Sequence, residues 1–162
     1  MARVKHHYES NCFFGIGIVN NVNEINIGTL WRSAYILGAS FIFTVDKKYK
    51  QQRSDVTRSW TKIPLYHYKS FADLKSNLPY STRLVAVEIV EQAVSLAQFE
   101  HPCRAAYLLG NEQIGLSPKI VDECHAVVSL PGSFSLNVAV AGSIVMYDRL
   151  SKITTALPAT GK

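Results

Sequence analysis

Three short stretches hold the side chains of this 162-residue chain whose types and spacing could do chemistry. The first, Asn23-Glu24-Ile25-Asn26-Ile27-Gly28, is followed by Arg32. The second is Gly110-Asn111-Glu112-Gln113-Ile114-Gly115-Leu116, and the third is Pro131-Gly132-Ser133-Phe134-Ser135-Leu136-Asn137. What they lack narrows the chemistry. Neither glycine pattern is the G-x-x-x-x-G-K-[ST] or G-x-G-x-x-G of a phosphate-cradling loop. There is no G-x-S-x-G nucleophile elbow, and no Cys or Ser stands beside a His as an activated nucleophile does. Hydrolase and nucleoside triphosphatase chemistry therefore lose support. The five histidines show no H-E-x-x-H or other metal-ligand spacing, so no metal is expected.

The elements that must position these stretches alternate. Phe13 to Val19 reads as a buried strand, and apolar residues recur at helical spacing from about Asn26 to Leu37, with Gly38 as a stop signal. Strands are expected at Ser40–Val45, Ile63–Tyr68, Arg83–Ile89, Arg104–Leu109 and Ala126–Leu130. Helices are expected at Phe71–Asn77, at Ser117–Cys124 with Ser117 as cap and Pro118 in the first turn, and from Ser135 to about Lys152. Apolar strands alternating with helices predict an α/β fold, a mostly parallel sheet flanked by helices. The three polar stretches then fall beyond the carboxyl ends of strands, where such sheets bind ligands. The last helix is unusual. Ser135 and Asn137 are capping types, and Ala139, Ala141, Gly142 and Ser143 leave it small-sided. A glycine in a helix interior costs about 1 kcal/mol relative to alanine, so Gly142 implies a neighbour that comes very close.

One domain over 1–162 is expected, with an ordered core at about 11–152 and a frayed tail at 153–162. No apolar run approaches a membrane span, and no signal peptide is recognisable, so no membrane association is expected. Cys12, Cys103 and Cys124 are odd in number and widely spaced, which suggests neither a disulfide framework nor a zinc site and points to a reducing, cytoplasmic setting. The formal charge of +5 is concentrated: Lys47, Lys48, Lys50, Arg53, Arg58 and Lys62 face only Asp55 between positions 47 and 62, so the whole excess sits there. Tyr49 and Trp60 are interleaved with them, able to stack on bases or to cover apolar surface. The segment is a candidate nucleic-acid footprint.

The three stretches, in this order, resemble the three motifs of the SpoU/TrmH family of RNA ribose methyltransferases in the SPOUT superfamily. N-E-I-N-I-G-T-L-W-R at 23–32 is similar to the first motif, L-L-G-N-E-Q-I-G-L-S at 108–117 to the second, and L-P-G-S-F-S-L-N-V-A-V-A-G at 130–142 to the third. The resemblance implies a C-terminal trefoil knot and an enzyme that moves a methyl group from S-adenosylmethionine to a ribose 2′-hydroxyl. It implies that the cofactor lies against Leu109, Gly110, Asn111, Gly115, Leu130, Ser135, Leu136 and Asn137. It places Arg32, Asn26, Glu112 and Asn137 in catalysis: Arg32 on the phosphate and developing alkoxide, Asn26 on substrate or Arg32, and Glu112 on Arg32, the sugar or the departing proton. It implies a homodimer whose sites are completed across the interface. The turn from Pro131 to Ser135 is shorter than in many relatives, which implies a tighter cofactor cradle. Minimal members without an extra N-terminal RNA-binding domain often act on tRNA, so tRNA is the expected substrate. Ribosomal RNA, a SPOUT base methyltransferase, a non-catalytic RNA-binding module and a small-molecule α/β enzyme are the alternatives.

Overall fold

Runs of β-branched, aromatic and leucine side chains that are apolar on both faces need cover from both sides, and parallel crossovers supply it. A computed structural model describes residues 12–20, 23–50, 56 and 58–153; the expected tail lies outside them from 154 onward. The elements are β1 (Phe13–Val19), α1 (Glu24–Ile36), β2 (Phe41–Val45), β3 (Leu65–Tyr68), α2 (Phe71–Asn77), β4 (Arg83–Val87), β5 (Val94–Ser95), β6 (Arg104–Leu109), α3 (Pro118–Asp122), β7 (Ala126–Ser129) and α4 (Val138–Lys152). They form one seven-stranded sheet, ordered β3-β2-β1-β6-β4-β7-β5, in which every pair is parallel. No helix among the described residues is long and apolar enough to cross a membrane.

One face of the sheet packs Ile16, Ile18, Val85, Tyr107 and Leu109 against Leu30 and Trp31 of α1 and Val145 and Met146 of α4. The other packs Phe43, Leu84, Ala106 and Leu108 with Leu74 of α2 and Val121 of α3. On the first face Gly142 explains itself, since a Cβ there would lie 2.4 Å from Leu30 Cδ1 and 3.3 Å from Ile16 Cδ1. The close neighbour is core packing, and Ser143 Oγ donates to Ser33 Oγ at 2.9 Å beside it.

Strand order also sets where a ligand can enter. The chain leaves β1 toward β2 on one side, while β6, its other neighbour, leads toward β7 beyond β4. A crevice opens beyond the carboxyl ends of strands at such a switch point.

The cysteine expectation is corrected. Cys12 and Cys103 form a disulfide, with Cα atoms 4.6 Å apart, and Cys124 is free. Each precedes a strand, and the parallel register sets Phe13 opposite Arg104, so residues 91 positions apart in sequence become neighbours. Thiol count therefore gives no ground for a reducing compartment. The same end of the sheet holds a buried network. Arg149, 3% exposed, donates to the carbonyl oxygens of Pro102 (2.6 Å), Cys103 (2.8 Å) and Phe13 (3.4 Å) and to the Tyr107 hydroxyl (3.2 Å). His101 bridges Tyr107 OH (2.5 Å) and Asp148 (2.8 Å). Burial lowers the His101 pKa, outweighing the hydrogen bond and charge of the Asp148 carboxylate that raise it. Burial likewise pushes the Tyr107 hydroxyl up to about 12.

Candidate functional site

The site is assembled from helix starts and strand ends. Asn23 caps α1, its Oδ1 accepting from Ile25 N–H at 3.1 Å, so the helix begins at Glu24 and Asn26 lies in its first turn. The last helix begins later than expected. The Oδ1 atom of Asn137 accepts from Ala139 N–H (2.9 Å) and Val140 N–H (3.3 Å), making Asn137 the cap, and α4 starts at Val138. Ser135 is not a cap, and Ser135 and Leu136 are left outside the helix as an exposed turn.

Asn137 has a second use. Its Nδ2 donates to Asn26 Oδ1 at 3.0 Å and to Glu112 Oε1 at 2.9 Å, and Asn26 Nδ2 donates to the same Glu112 oxygen. Three residues, one from each polar stretch and up to 111 positions apart, thus close a single hydrogen-bonded cluster. Asn26 is 9% exposed, whereas Glu112 and Asn137 reach solvent.

The loop that carries Glu112 is tightly built. Asn111 Oδ1 accepts from Gln113 N–H and Ile114 N–H, both at 2.9 Å, and Asn111 Nδ2 reaches back to Asn20 O at the end of β1 (3.2 Å). A Cβ on Gly110 would lie 2.2 Å from the Gly115 carbonyl carbon, and Gly115 has φ +64°, so neither position accepts a side chain without displacement. Beside this loop lies a cavity of about 540 Å³, within the range of small-molecule sites. It is walled by residues 87–89, the loop 109–115, the turn 130–137 and the first turn of α4. The expected Leu109, Gly110, Asn111, Gly115, Leu130, Ser135, Leu136 and Asn137 all line it. Among the described residues, the ionisable side chains in its wall are Glu88 and Glu112.

Glu88 carries no sequence signal: it is one carboxylate after an apolar strand, outside any motif. Arg32 is not brought into the cluster. It lies six residues beyond Asn26 on α1, about 9 Å along the axis and about 240° around it, and is exposed. Among the described residues its side chain makes no hydrogen bond or ion pair. Of the basic segment, Lys47, Lys48, Lys50, Arg58 and Lys62 are described and Arg53 lies outside the described residues. Lys62 Nζ sits 4.7 Å from the Tyr35 ring centroid, and Tyr49 packs edge-on against Trp31 at 6.3 Å, so this tyrosine covers apolar surface.

The chain is similar to known proteins over most of its length. The model of the SpoU rRNA methylase family matches residues 14–147. Mouse tRNA (guanosine(18)-2′-O)-methyltransferase TARBP1 is 26% identical over 136 residues, which are 76% of this chain and 8% of that protein, so the chain spans a small part of its relative. Among solved structures, one described as giving insight into 2′-OH methylation of C/U34 on tRNA superposes with a TM-score of 0.78 at 20% identity, covering 90% of this chain and 99% of that one. The SpoU methyltransferase AviRb of Streptomyces viridochromogenes, in complex with AdoMet, gives 0.74 at 24% identity over 87% of this chain and 60% of that one. With all three polar stretches inside the matched residues, the chain belongs to the SpoU rRNA methylase family.

Proposed function

We propose that this protein transfers a methyl group from S-adenosylmethionine to a ribose 2′-hydroxyl of RNA, with tRNA the favoured substrate over rRNA. The observation that carries the reading is the convergence of Asn26, Glu112 and Asn137 at the rim of a cavity whose ionisable wall groups, among the described residues, are acidic. That wall suits a small molecule of net positive charge, as the sulfonium cofactor is, and disfavours phosphate-bearing nucleotides. The small, cap-rich lining leaves backbone groups of the 109–115 loop and the 130–137 turn to hold it. When bound, the cofactor supplies an electrophilic methyl group and leaves as a neutral thioether.

The chain's own residues do the rest. Most of the rate in such a transfer comes from holding the oxygen in line with the methyl carbon. Asn26 and Asn137 fix Glu112 Oε1, which leaves Oε2 to accept the 2′-hydroxyl proton as the O–CH₃ bond forms. A guanidinium stays protonated under physiological conditions, so Arg32 binds the adjoining phosphate and stabilises the developing alkoxide. Ile25, Thr29, Arg32 and Ile36 recur at helical spacing on an exposed face of α1. Val140, Ile144 and Tyr147 are exposed on the adjoining α4. This apolar surface supports a two-fold dimer in which Arg32 of each protomer serves the other's site. A threaded C-terminal segment is part of the same reading, supported by β7, which lies between the earlier strands β4 and β5. The basic segment follows β2 at the ligand end of the sheet and guides RNA, so methylation weakens as salt rises.

The test is incubation with labelled S-adenosylmethionine and separate tRNA and rRNA pools, followed by nucleoside mass spectrometry. A 2′-O-methylated nucleoside is expected; a base-methylated product, or none, overturns the reading. Arg32→Ala is expected to abolish transfer and leave cofactor affinity intact, and calorimetric loss of cofactor binding would sink its assignment. Arg32→Ala and Glu112→Ala protomers, each inactive alone, are expected to regain activity when co-assembled if Arg32 acts across the dimer.

A further inference from the structure

We propose that Glu88, at the end of β4, is the positioning residue for the 110–116 loop, acting through the Leu116 amide to hold the wall of the cofactor cavity in its binding conformation. The proposal rests on the reading of that cavity as the cofactor site. Glu88 is anchored by its own backbone, whose N–H donates to Val128 O at 3.1 Å and ties the end of β4 to β7. Its carboxylate is then oriented at both oxygens. Oε1 accepts from Ile89 N–H at 3.0 Å, and Oε2 accepts from Leu116 N–H at 2.7 Å.

Leu116 is 6% exposed, so little water is available to replace that acceptor. Gly115 makes the contact feasible, because a Cβ there would lie 2.5 Å from Glu88 Oε2 and would push the carboxylate off the next amide. The loop has two supports of different kinds. Asn111 shapes its turn from within, through Gln113, Ile114 and the Gly115 N–H bond to Asn111 O at 2.9 Å. Glu88 fastens that turn to the sheet. Glu112, on the same loop, is thereby held where Asn26 and Asn137 reach it.

Three substitutions test this. Glu88→Ala leaves the Leu116 N–H buried without an acceptor and is expected to weaken S-adenosylmethionine binding by about tenfold or more, by calorimetry. It is expected to raise KM for the cofactor more than it lowers kcat, and to speed hydrogen exchange at the Leu116 amide in the cofactor-free protein. Glu88→Gln keeps a carbonyl oxygen for that amide and is expected to restore slow exchange and to bring binding back to within about threefold of the parent. Glu88→Asp, one methylene shorter, draws the carboxylate back from the Leu116 N–H and is expected to move exchange and binding in the direction of Glu88→Ala, which keeps the test available should Glu88→Ala fail to fold. Parent-like exchange at Leu116 in Glu88→Ala, or a Gln variant no better than Ala, overturns the proposal. Failure of the parent to bind S-adenosylmethionine would overturn the functional reading instead, while amide exchange in the free protein still decides the role of Glu88.

Discussion

Asn137 joins a helix cap to the candidate site, and two substitutions separate the jobs. Asn137→Ala removes the acceptor for Ala139 and Val140 N–H, which costs about 1 kcal/mol for a lost N-cap. It also removes the amide donor to Asn26 and Glu112, worth about 1–2 kcal/mol for partly exposed bonds, one of them to a charged group. A total loss of about 2–3 kcal/mol is expected in urea unfolding. Asn137→Asp keeps an acceptor at the helix start, where negative charge is favourable, but donates nothing and faces the Glu112 carboxylate. Hydrogen exchange at Ala139 and Val140 is therefore expected to stay slow in Asn137→Asp and to quicken in Asn137→Ala. Both variants are expected to lose methyl transfer. The like-charge contact reaches solvent, so added salt restores part of the stability of Asn137→Asp and none of that of Asn137→Ala. Parent-level transfer by Asn137→Asp, or a loss under about 0.5 kcal/mol in Asn137→Ala, would refute the dual role.

Packing, redox and pH give further checks. Gly142→Ala gains about 1 kcal/mol of helix propensity but forces a methyl group against Leu30 and Ile16, and overpacking costs about 1–3 kcal/mol. A net loss is expected by urea unfolding, and a stabilised variant would contradict the close approach of α4 to α1. Reducing Cys12–Cys103 releases a constraint between residues 91 positions apart, for which chain entropy predicts on the order of 4–5 kcal/mol. The urea midpoint is expected to fall on adding reductant and to be insensitive to it in Cys103→Ser. Burial lowers the pKa values of His101 and His125, so between their unfolded and folded values the unfolded chain binds more protons. Their contribution is full above about pH 6.5 and is lost as pH falls through the folded values. The melting temperature is expected to drop from pH 7.5 to pH 5, less so in His101→Gln, and an unchanged slope in that variant would remove His101 as a cause.

What could be read from the residues, and what could not, divides along the range of the interactions involved. Phe71–Asn77 and Arg104–Leu109 have the bounds expected of them, because a cap and a continuous apolar run are local signals. The start of α4 shifts from Ser135 to Val138 because two plausible caps stand two residues apart, and only the reach of Asn137 Oδ1 to Ala139 and Val140 selects one. The Cys12–Cys103 pair could not be read at all, since it follows from the β1–β6 register, which spacing along the chain does not encode. The three polar stretches announced the site because each places an asparagine, glycine or carboxylate at a strand end or helix start, where side chains of those types satisfy orphan backbone groups. Glu88 announced nothing, for its partner is a backbone amide supplied by a loop 28 residues away. A polar side chain that engages main chain leaves no pattern of residue types. The residues that support a site in this way, rather than those that touch its ligand, are therefore the ones that a folded structure adds.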